Sequence, residues 1–213
     1  MRTKLIYILL GMAVMACQDD IDVDTSNGDT NNKESVFTSK AERNTMLKGQ
    51  VDDLLDSMPC SMVNLPVDVT INNDNLVTIS TLADLEVILP GDIIKFTFPI
   101  TVTNYNYETV TISNQGEFIK LQEECSTRID NGEGPITCVD IEYPIYIFSA
   151  LGDNAQTSHN LESDEEFYLY LTNLSENENY SINYPINISV NNSTTVTIEN
   201  DASFTEYLDG CDN

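Results

Sequence analysis

A unit of two strands and a helix recurs four times between Cys60 and Cys211, and this repeat constrains the fold more than any other feature of the sequence. Each copy carries a proline between an aliphatic or aromatic residue and a Val or Ile. The four tripeptides are Leu65-Pro66-Val67, Phe98-Pro99-Ile100, Tyr143-Pro144-Ile145 and Tyr184-Pro185-Ile186. Thirteen residues after three of the prolines comes the Ile of a Val-Thr-Ile triplet, at Ile79, Ile112 and Ile198. Six positions later comes a large apolar residue, at Leu85, Phe118 and Phe204. The third copy reaches its equivalents, Leu161 and Phe167, after four additional residues.

The spacing of apolar residues predicts two strands and a helix within each copy. The first strand alternates between apolar and polar residues, as in Val63, Leu65, Val67 and Val69, which indicates one buried face and one solvated face. A polar turn such as Asn72-Asn73-Asp74-Asn75 leads to the second strand. A Ser or Asn then caps a short helix. The candidate caps are Ser80, Ser113, Ser163 and Asn200.

The prolines favour one strand order. A proline cannot donate a ladder hydrogen bond, so it belongs on an edge strand or at a bulge. If two units pair with their second strands in the centre, both first strands lie at the edges and both helices lie on one face. We therefore predict an α+β fold with two antiparallel sheet modules, residues 60–125 and 138–211, joined by a linker over 126–137. This order corresponds to a permuted ferredoxin-like topology.

The cysteines frame the same two modules. The chain has five cysteines. Cys17 lies in the N-terminal export signal, so the other four are available for disulfides. Cys60 precedes the first unit and Cys125 follows the second, while Cys138 and Cys211 bracket the third and fourth. This arrangement favours Cys60–Cys125 and Cys138–Cys211. Four cysteines allow three pairings, and Cys125–Cys138 is an alternative because only a short loop separates the two.

The N-terminus carries the pattern of an export signal. Arg2 and Lys4 precede an apolar run over 5–14, which is shorter than the roughly 20 apolar residues that span a bilayer. Val14-Met15-Ala16-Cys17 resembles a lipobox, the sequence at which lipoprotein signal peptidase cuts before a lipidated cysteine. We therefore predict a signal peptide over 1–16 and lipidation of Cys17. The alternative is an ordinary signal peptide followed by a coincidental cysteine.

A polar segment and a helical pattern precede the repeats. Residues 17–38 are rich in Asp, Asn, Ser and Thr, which predicts a disordered acidic tether. Gln18-Asp19-Asp20 resembles the surface-export signal of Bacteroidota lipoproteins, or it is simply the start of the acidic segment. Apolar residues at helical spacing predict an amphipathic lead-in helix over 39–58.

The charge balance limits the classes of partner. The chain has 9 Lys and Arg against 35 Asp and Glu, a formal net charge of −26. Nucleic acid and anionic lipid headgroups repel such a surface. We therefore expect no nucleic-acid partner and expect the membrane to be held through lipid on Cys17, since each buried CH2 contributes about 0.8 kcal/mol.

The sequence holds no recognisable catalytic pattern. His159 is the only histidine, and nothing in the sequence places a nucleophile or a carboxylate beside it. The widely spaced cysteines do not match a zinc site, and we expect no cofactor. Asp130, Asn131 and Glu133 surround Gly132 and are a weak candidate for calcium, with a plain turn as the alternative.

Two tyrosines are candidates for contact with a partner. Tyr105 and Tyr107 lie at a predicted hairpin tip among polar residues. Exposed aromatic side chains can stack on sugars or anchor a protein partner, although an ordinary turn tyrosine is the simpler interpretation.

The region from Cys60 to Cys211 resembles repeated domains of uncharacterised Bacteroidota surface lipoproteins. The resemblance rests on a cysteine before a Tyr/Phe-Pro-Ile/Val strand, then Val-Thr-Ile, then a helix with Phe and Leu. It implies an outer-membrane lipoprotein, exposed at the cell surface, but no activity. We therefore expect a non-catalytic protein that presents its modules to an envelope protein or serves envelope structure. An accessory glycan-binding role in nutrient uptake is the alternative.

Overall fold

The computed structural model of the protein describes residues 29–73, 75–152 and 155–211. The predicted signal peptide, Cys17 and residues 18–28 of the predicted tether lie outside the described residues. Within them the chain is α+β, as predicted, with small antiparallel sheets and several helices. No helix in the described part combines the length and the apolar character needed to cross a bilayer.

The N-terminal part of the described chain forms a short strand, β1 (Asn31–Asn32), and two helices, α1 (Val36–Thr45) and α2 (Asp53–Asp56). A 3-10 turn over Gly49–Asp52 separates the helices. The predicted continuous helix over 39–58 is therefore wrong, and so is the tether over 29–38. Helix α1 ends at Thr45, where Met46 turns away from helical geometry (ψ 151°), and the Gly49 N–H then donates to the Pro59 carbonyl oxygen (2.9 Å). The Gly49 α-carbon also approaches the Ser61 carbonyl so closely that a Cβ would clash.

The first module contains six strands, a 3-10 helix and one long α-helix. The strands are β2 (Ser61–Val63), β3 (Val67–Ile71), β4 (Asn75–Ile79), β5 (Ile94–Phe96), β6 (Ile100–Asn104) and β7 (Thr109–Ile112). The 3-10 helix spans Leu82–Val87 and the α-helix, α3, spans Gln115–Asp130. Two antiparallel sheets result, in the orders β2-β6-β7 and β4-β3-β5.

The second module repeats this plan with two α-helices. Its strands are β8 (Val139–Ile141), β9 (Ile145–Leu151), β10 (Thr157–Leu161), β11 (Glu178–Ile182), β12 (Ile186–Val190) and β13 (Thr194–Ile198). Helix α4 (Asp164–Thr172) follows β10, and helix α5 (Asp201–Cys211) follows β13. The sheet orders are β8-β12-β13 and β10-β9-β11, and β1 adds a fourth strand beside β11.

The predicted strand order is wrong in one respect. The strand after each proline lies in the centre of its sheet, and the second strand of each hairpin lies at an edge, so the order is not ferredoxin-like. The register explains how the sheet tolerates central prolines. Val63 pairs with Val102 and Val69 pairs with Phe96, which places Pro66 opposite Pro99. The two prolines interrupt one ladder at the same point and divide it into two sheets.

The same arrangement recurs in the second module. Ile141 pairs with Ile188 and Ile147 pairs with Ile182, which places Pro144 opposite Pro185. All four X-Pro peptide bonds are cis. Each module is therefore built from two units related by an approximate twofold axis, and each pre-proline strand pairs with the other unit of its module.

Each module has its own core, and the N-terminal segment contributes to both. Phe37 and Ala41 of α1 join the second core, whereas Leu55 and Met58 join the first. The predicted linker over 126–137 is wrong, because α3 continues to Asp130 and Ile136 is buried in the second core. The disulfides Cys60–Cys125 and Cys138–Cys211 are both present, each with a Cα–Cα distance of 5.8 Å, as predicted.

The helix caps lie close to the predicted positions. Ser163 accepts a hydrogen bond from the Glu166 N–H, and Asn200 accepts one from the Ser203 N–H, as expected of caps. In the first module the caps are Thr81 and Asn114, one residue after the predicted Ser80 and Ser113.

Candidate functional site

The second module contains a repeated pair of a tyrosine and an aspartate. The Tyr143 hydroxyl donates to Asp164 Oδ1 (2.7 Å), and the Tyr184 hydroxyl donates to Asp201 Oδ1 (2.6 Å). Each tyrosine directly precedes a proline of the repeat, and each aspartate is the first residue of a helix. The equivalent residues before the prolines of the first module are Leu65 and Phe98, which cannot form this hydrogen bond.

Both carboxylates are also contacted by residues 29–48, which we call the strap. The Asn31 side chain donates to Asp201 Oδ2 (2.5 Å) near the start of the strap. Near its end, Lys48 Nζ lies 2.7 Å from Asp140 Oδ1 and 3.8 Å from Asp164 Oδ2. The strap therefore covers the helical side of the second module and reaches both repeats of the tyrosine–aspartate pair.

Burial dominates the electrostatics of these pairs. It raises the pKa of Asp164 and of Asp201 above the usual range, although Lys48 and the tyrosine hydroxyls act in the opposite direction. Burial and the adjacent carboxylate raise the pKa of Tyr143 and of Tyr184. Each phenol therefore keeps its proton and donates it in the hydrogen bond to the carboxylate. These contacts fix the starts of α4 and α5 against the sheets.

The two tyrosines predicted to contact a partner are used within the chain. Tyr105 is half-buried, and the Arg128 guanidinium lies 3.8 Å above its ring and donates to its hydroxyl (2.8 Å). Tyr107 donates from its hydroxyl to the Thr45 carbonyl oxygen (2.8 Å), and its ring lies 5.7 Å from that of Tyr168. Both residues lie in the turn between β6 and β7, as predicted, but they are half-buried and not exposed. Tyr105 packs on α3 of its own module, whereas Tyr107 joins the first module to the strap and the second module.

An open groove of about 550 Å³ lies beside the Cys60–Cys125 disulfide. We call it the α3 groove, because one flank of α3 forms its wall and the ends of β2 and β6 form its floor. Leu121 and the disulfide supply apolar surface, while Lys120 and Arg128 supply positive charge. Asn104 lines this groove, but its Oδ1 is buried from solvent and accepts no hydrogen bond from any described residue.

An equivalent but smaller groove lies beside the Cys138–Cys211 disulfide and encloses about 350 Å³. Counting from the prolines and the helix phenylalanines matches the lining residues of the two grooves one by one. Val190 takes the place of Asn104, Glu206 that of Lys120, and Tyr207 that of Leu121. The repeat thus provides the same groove twice with different chemistry. Sequence inspection missed it, and the signal that could have found it is the polar Asn104 at a position where the other module has valine.

A second open cleft of about 520 Å³ lies on the opposite side of the first module, where Pro66 and Pro99 face each other. Its lining is rich in hydroxyl groups. The threonines are Thr78, Thr97, Thr101 and Thr111. Thr78 already donates to Asp68 (2.6 Å), so part of this polar surface is satisfied within the chain.

The weak calcium candidate is a helix end. Asp130, Asn131 and Glu133 are exposed, and the N–H groups of Gly132 and Glu133 donate to the carbonyl oxygens of Ile129 and Arg128. With Gly132 at φ +72°, this is a Schellman motif that closes α3. No group of three or more His, Cys, Asp or Glu side chains suited to a metal ion occurs among residues 29–211 that the structure describes.

His159 lies on strand β10. It shares a hydrogen bond with the Ser149 hydroxyl (3.0 Å), and its ring lies 5.2 Å from that of Tyr170. Burial raises the pKa of Tyr170 to about 12. These contacts pack β10 against α4.

No family model matches the chain, and neither a curated protein nor a solved structure shows significant similarity to it. The resemblance to Bacteroidota surface lipoproteins therefore stays a prediction. The internal repeat is the basis for comparing the candidate sites, since each position of one module has an equivalent position in the other.

Proposed function

We propose that this protein is a lipid-anchored, non-catalytic component of the cell envelope that holds its second module near the membrane and presents its first module to a partner. One observation carries the proposal. The strap contacts the carboxylates at the starts of both helices of the second module, whereas the first module has the larger of the two equivalent grooves, about 550 Å³ against about 350 Å³.

The point at which the chain enters the fold supports this orientation. Asp29 accepts a hydrogen bond from the Asp201 N–H (3.3 Å), so the described chain begins on the second module. Cys17 precedes Asp29 by twelve residues, which can span at most about 40 Å when fully extended. An anchor on Cys17 would keep the second module within that distance of the membrane.

The charge of the chain supports a lipid anchor and a protein partner. With a net charge of −26, the surface repels anionic headgroups and nucleic acid, so a membrane contact depends on the acyl chains. Lys120 and Arg128 line the α3 groove together with Glu123, Glu124 and Glu133, and Lys120 Nζ lies 3.5 Å from Glu124 Oε1. The groove therefore carries both signs of charge and favours a ligand that combines an apolar part with hydrogen-bonding groups.

The anchor is tested by metabolic labelling with an alkyne fatty acid. We expect label on the wild-type chain and none on Cys17→Ala, which should also leave the membrane fraction. Equal labelling of the two would remove the anchor from the proposal. Protease treatment of intact cells then reports whether the protein is exposed at the surface.

The presenting role is tested by matched photo-cross-linkers placed at Lys120 and at its equivalent, Glu206, in living cells. We expect the same partner to be captured in repeated experiments from position 120 and not from position 206. Capture from position 206 alone would reverse the assignment of the two modules. No capture from either position would contradict a presenting role.

A further inference from the structure

The second module shows how an edge of this fold accepts an added strand. β1 runs antiparallel to β11, with Asn31 opposite Tyr180 and Asn32 opposite Asn179. The Asn31 side chain turns inward to Asp201, and Phe37 places its ring 5.7 Å from that of Phe204. Two strand residues and the helix after them are therefore sufficient to close this edge.

The equivalent edge in the first module belongs to β5. The Thr97 N–H donates to the Asp68 carbonyl oxygen (2.8 Å), and the Asn72 N–H donates to the Ile93 carbonyl oxygen (2.9 Å). These two backbone contacts identify the hydrogen-bonded pairs of the β3–β5 ladder. Because such pairs alternate along an antiparallel ladder, Lys95 bonds to Thr70. The N–H and C=O groups of Ile94 and Phe96 then point away from β3, and no described strand pairs with them.

A space lies beside this unpaired edge. It encloses about 240 Å³, with β5 on one side and Leu54 and Leu55 of α2 on the other. Asp56 and Asp92 also line it, and three of its other lining residues are equivalent to residues that contact the strap in the second module. Ile94 takes the place of Tyr180, Gln115 that of Asp201, and Phe118 that of Phe204.

We propose that the β5 edge binds an extended segment of another protein by strand addition, and that this segment carries a carboxylate and, two residues later, a carboxamide. The inference rests on the function proposed above and names the kind of partner. The pattern is that of Asp29 and Asn31 at the start of α5. The Asp29 carboxylate accepts a hydrogen bond from the Asp201 N–H, and the Asn31 side chain donates one to the Asp201 carboxylate. In the first module the corresponding groups are the N–H and the side-chain amide of Gln115.

Charge places the carboxylate of the segment at the start of α3 and not deeper in the space, because Asp56 and Asp92 also line that space and would repel it. The Glu117 N–H is already capped by Asn114, whereas the Gln115 N–H at the helix start favours a negatively charged acceptor, because the N-terminus of a helix carries partial positive charge.

Lys95 lies on the solvent face of β5, between Ile94 and Phe96, where its ammonium already donates to the Asn73 side-chain oxygen. Its positive charge favours an acidic or hydrogen-bonding residue opposite it on an added strand. A second copy pairing through its own β5 would instead bring two Lys95 side chains together, which is unfavourable.

The test is hydrogen exchange of the full chain in detergent micelles, with and without a synthetic peptide of residues 28–34. We expect saturating peptide to slow exchange at Ile94 and Phe96 by at least about tenfold, because local opening must then precede exchange. Exchange at Tyr180 should not change. A peptide with the same residues in a different order is the control for nonspecific binding.

Two variants locate the effect. Leu54→Trp fills the space beside β5 and should abolish the protection, whereas Leu82→Trp, at an equally exposed position of the same module outside that space, should preserve it. Protection that survives Leu54→Trp, or no protection at all, would overturn the inference. Protection of Ile94 and Phe96 before peptide is added would also overturn the inference. If that protection rose with protein concentration, a second copy would be covering β5, and if it did not, another segment of the same chain would be.

This outcome is separable from the function proposed above. If the peptide fails while position 120 still captures a partner in cells, the presenting role stands and only the strand-addition site is lost.

Discussion

The two modules have the same strand order, the same opposed prolines and the same disulfide position, but they close their helical sides differently. In the second module the strap contributes a strand, a helix and two polar contacts to the carboxylates at the starts of α4 and α5. In the first module, α2 and a 3-10 helix cover the equivalent side only in part, and large apolar residues stay exposed there, such as Leu54 at 51% and Leu82 at 52%.

The alternating apolar residues of the strands set the framework that both modules share, whereas a few polar positions decide which segment covers each module. Tyr184 and Asp201 create an inward hydrogen bond that Asn31 completes. Their equivalents, Phe98 and Gln115, give a more apolar wall that needs no such partner. Closure by the strap is therefore specific to one module, although both have the same backbone plan.

Removing each disulfide in turn should have the largest effect on this comparison. The loops of 65 and 73 residues are similar, so loop entropy gives about 4 kcal/mol for either bond. In Cys60→Ser/Cys125→Ser we expect the first module to unfold locally, because little else closes it. In Cys138→Ser/Cys211→Ser the strap should keep the second module folded at 25 °C.

Hydrogen exchange at buried central strands is the measurement, with Val69 reporting on the first module and Ile147 on the second. Greater loss of protection at Ile147 in its own double variant than at Val69 in the other would show that the strap does not support the second module.

Removing the aromatic side chain by which the strap packs on the second module should have the next largest effect. Phe37 is 6% exposed against Phe204, so Phe37→Ala should cost about 3 kcal/mol. It should also release β1, and exchange at Tyr180 should then approach that at Ile94. Val36→Ala is the control, since Val36 lies on the same helix and is 71% exposed. A loss in denaturant midpoint that is equal for the two variants would contradict the assigned role of the strap.

The sequence predicted the framework of the modules better than it predicted their closure. The constant offsets from each proline identified the units and two of the four caps, because these features depend on residues close to one another in the repeat. The disulfide pairing followed from the cysteines that bracket each pair of units. The strand order was wrong because the proline rule was applied to each strand alone, whereas Pro66 and Pro99 interrupt one ladder together. The strap was missed because it offers few large apolar residues, and Phe37 meets Phe204 across 167 residues of chain.

The tyrosine–aspartate pairs should contribute a smaller amount. Tyr184→Phe removes a hydrogen bond to a buried carboxylate and should cost about 2 kcal/mol in denaturant unfolding of the second module. Tyr207→Phe is the matched control, because no hydrogen bond of the Tyr207 hydroxyl is found among the described residues, and it should change stability by less than about 0.5 kcal/mol. Equal effects would mean that the pairs are not needed for closure.

The response to pH should give the smallest effect, and its sign should differ between the modules. The folded pKa of Asp201 and of Asp164 is raised by burial, so the folded state binds these protons more tightly than the unfolded state. Their contribution to stability is fully present below about pH 4 and is lost as the pH rises through the folded pKa. In the first module, hydrogen bonds lower the pKa of Asp84 and of Asp92, so their contribution is present above about pH 4 and is lost as the pH falls through the folded pKa.

Acidification from pH 7 should therefore first favour the second module and then, below about pH 4, weaken the first. The measurement is the hydrogen-exchange protection at Ile147 divided by that at Val69, with both corrected for the intrinsic exchange rate. The ratio reports the difference between the modules, because the relief of charge repulsion on acidification affects both. Asp201→Asn should flatten the rise at Ile147, and Asp92→Asn should flatten the later fall at Val69. A relative loss of protection at Ile147 between pH 7 and pH 5 would contradict the raised pKa values, and with them the view that the strap encloses buried carboxylates in one module alone.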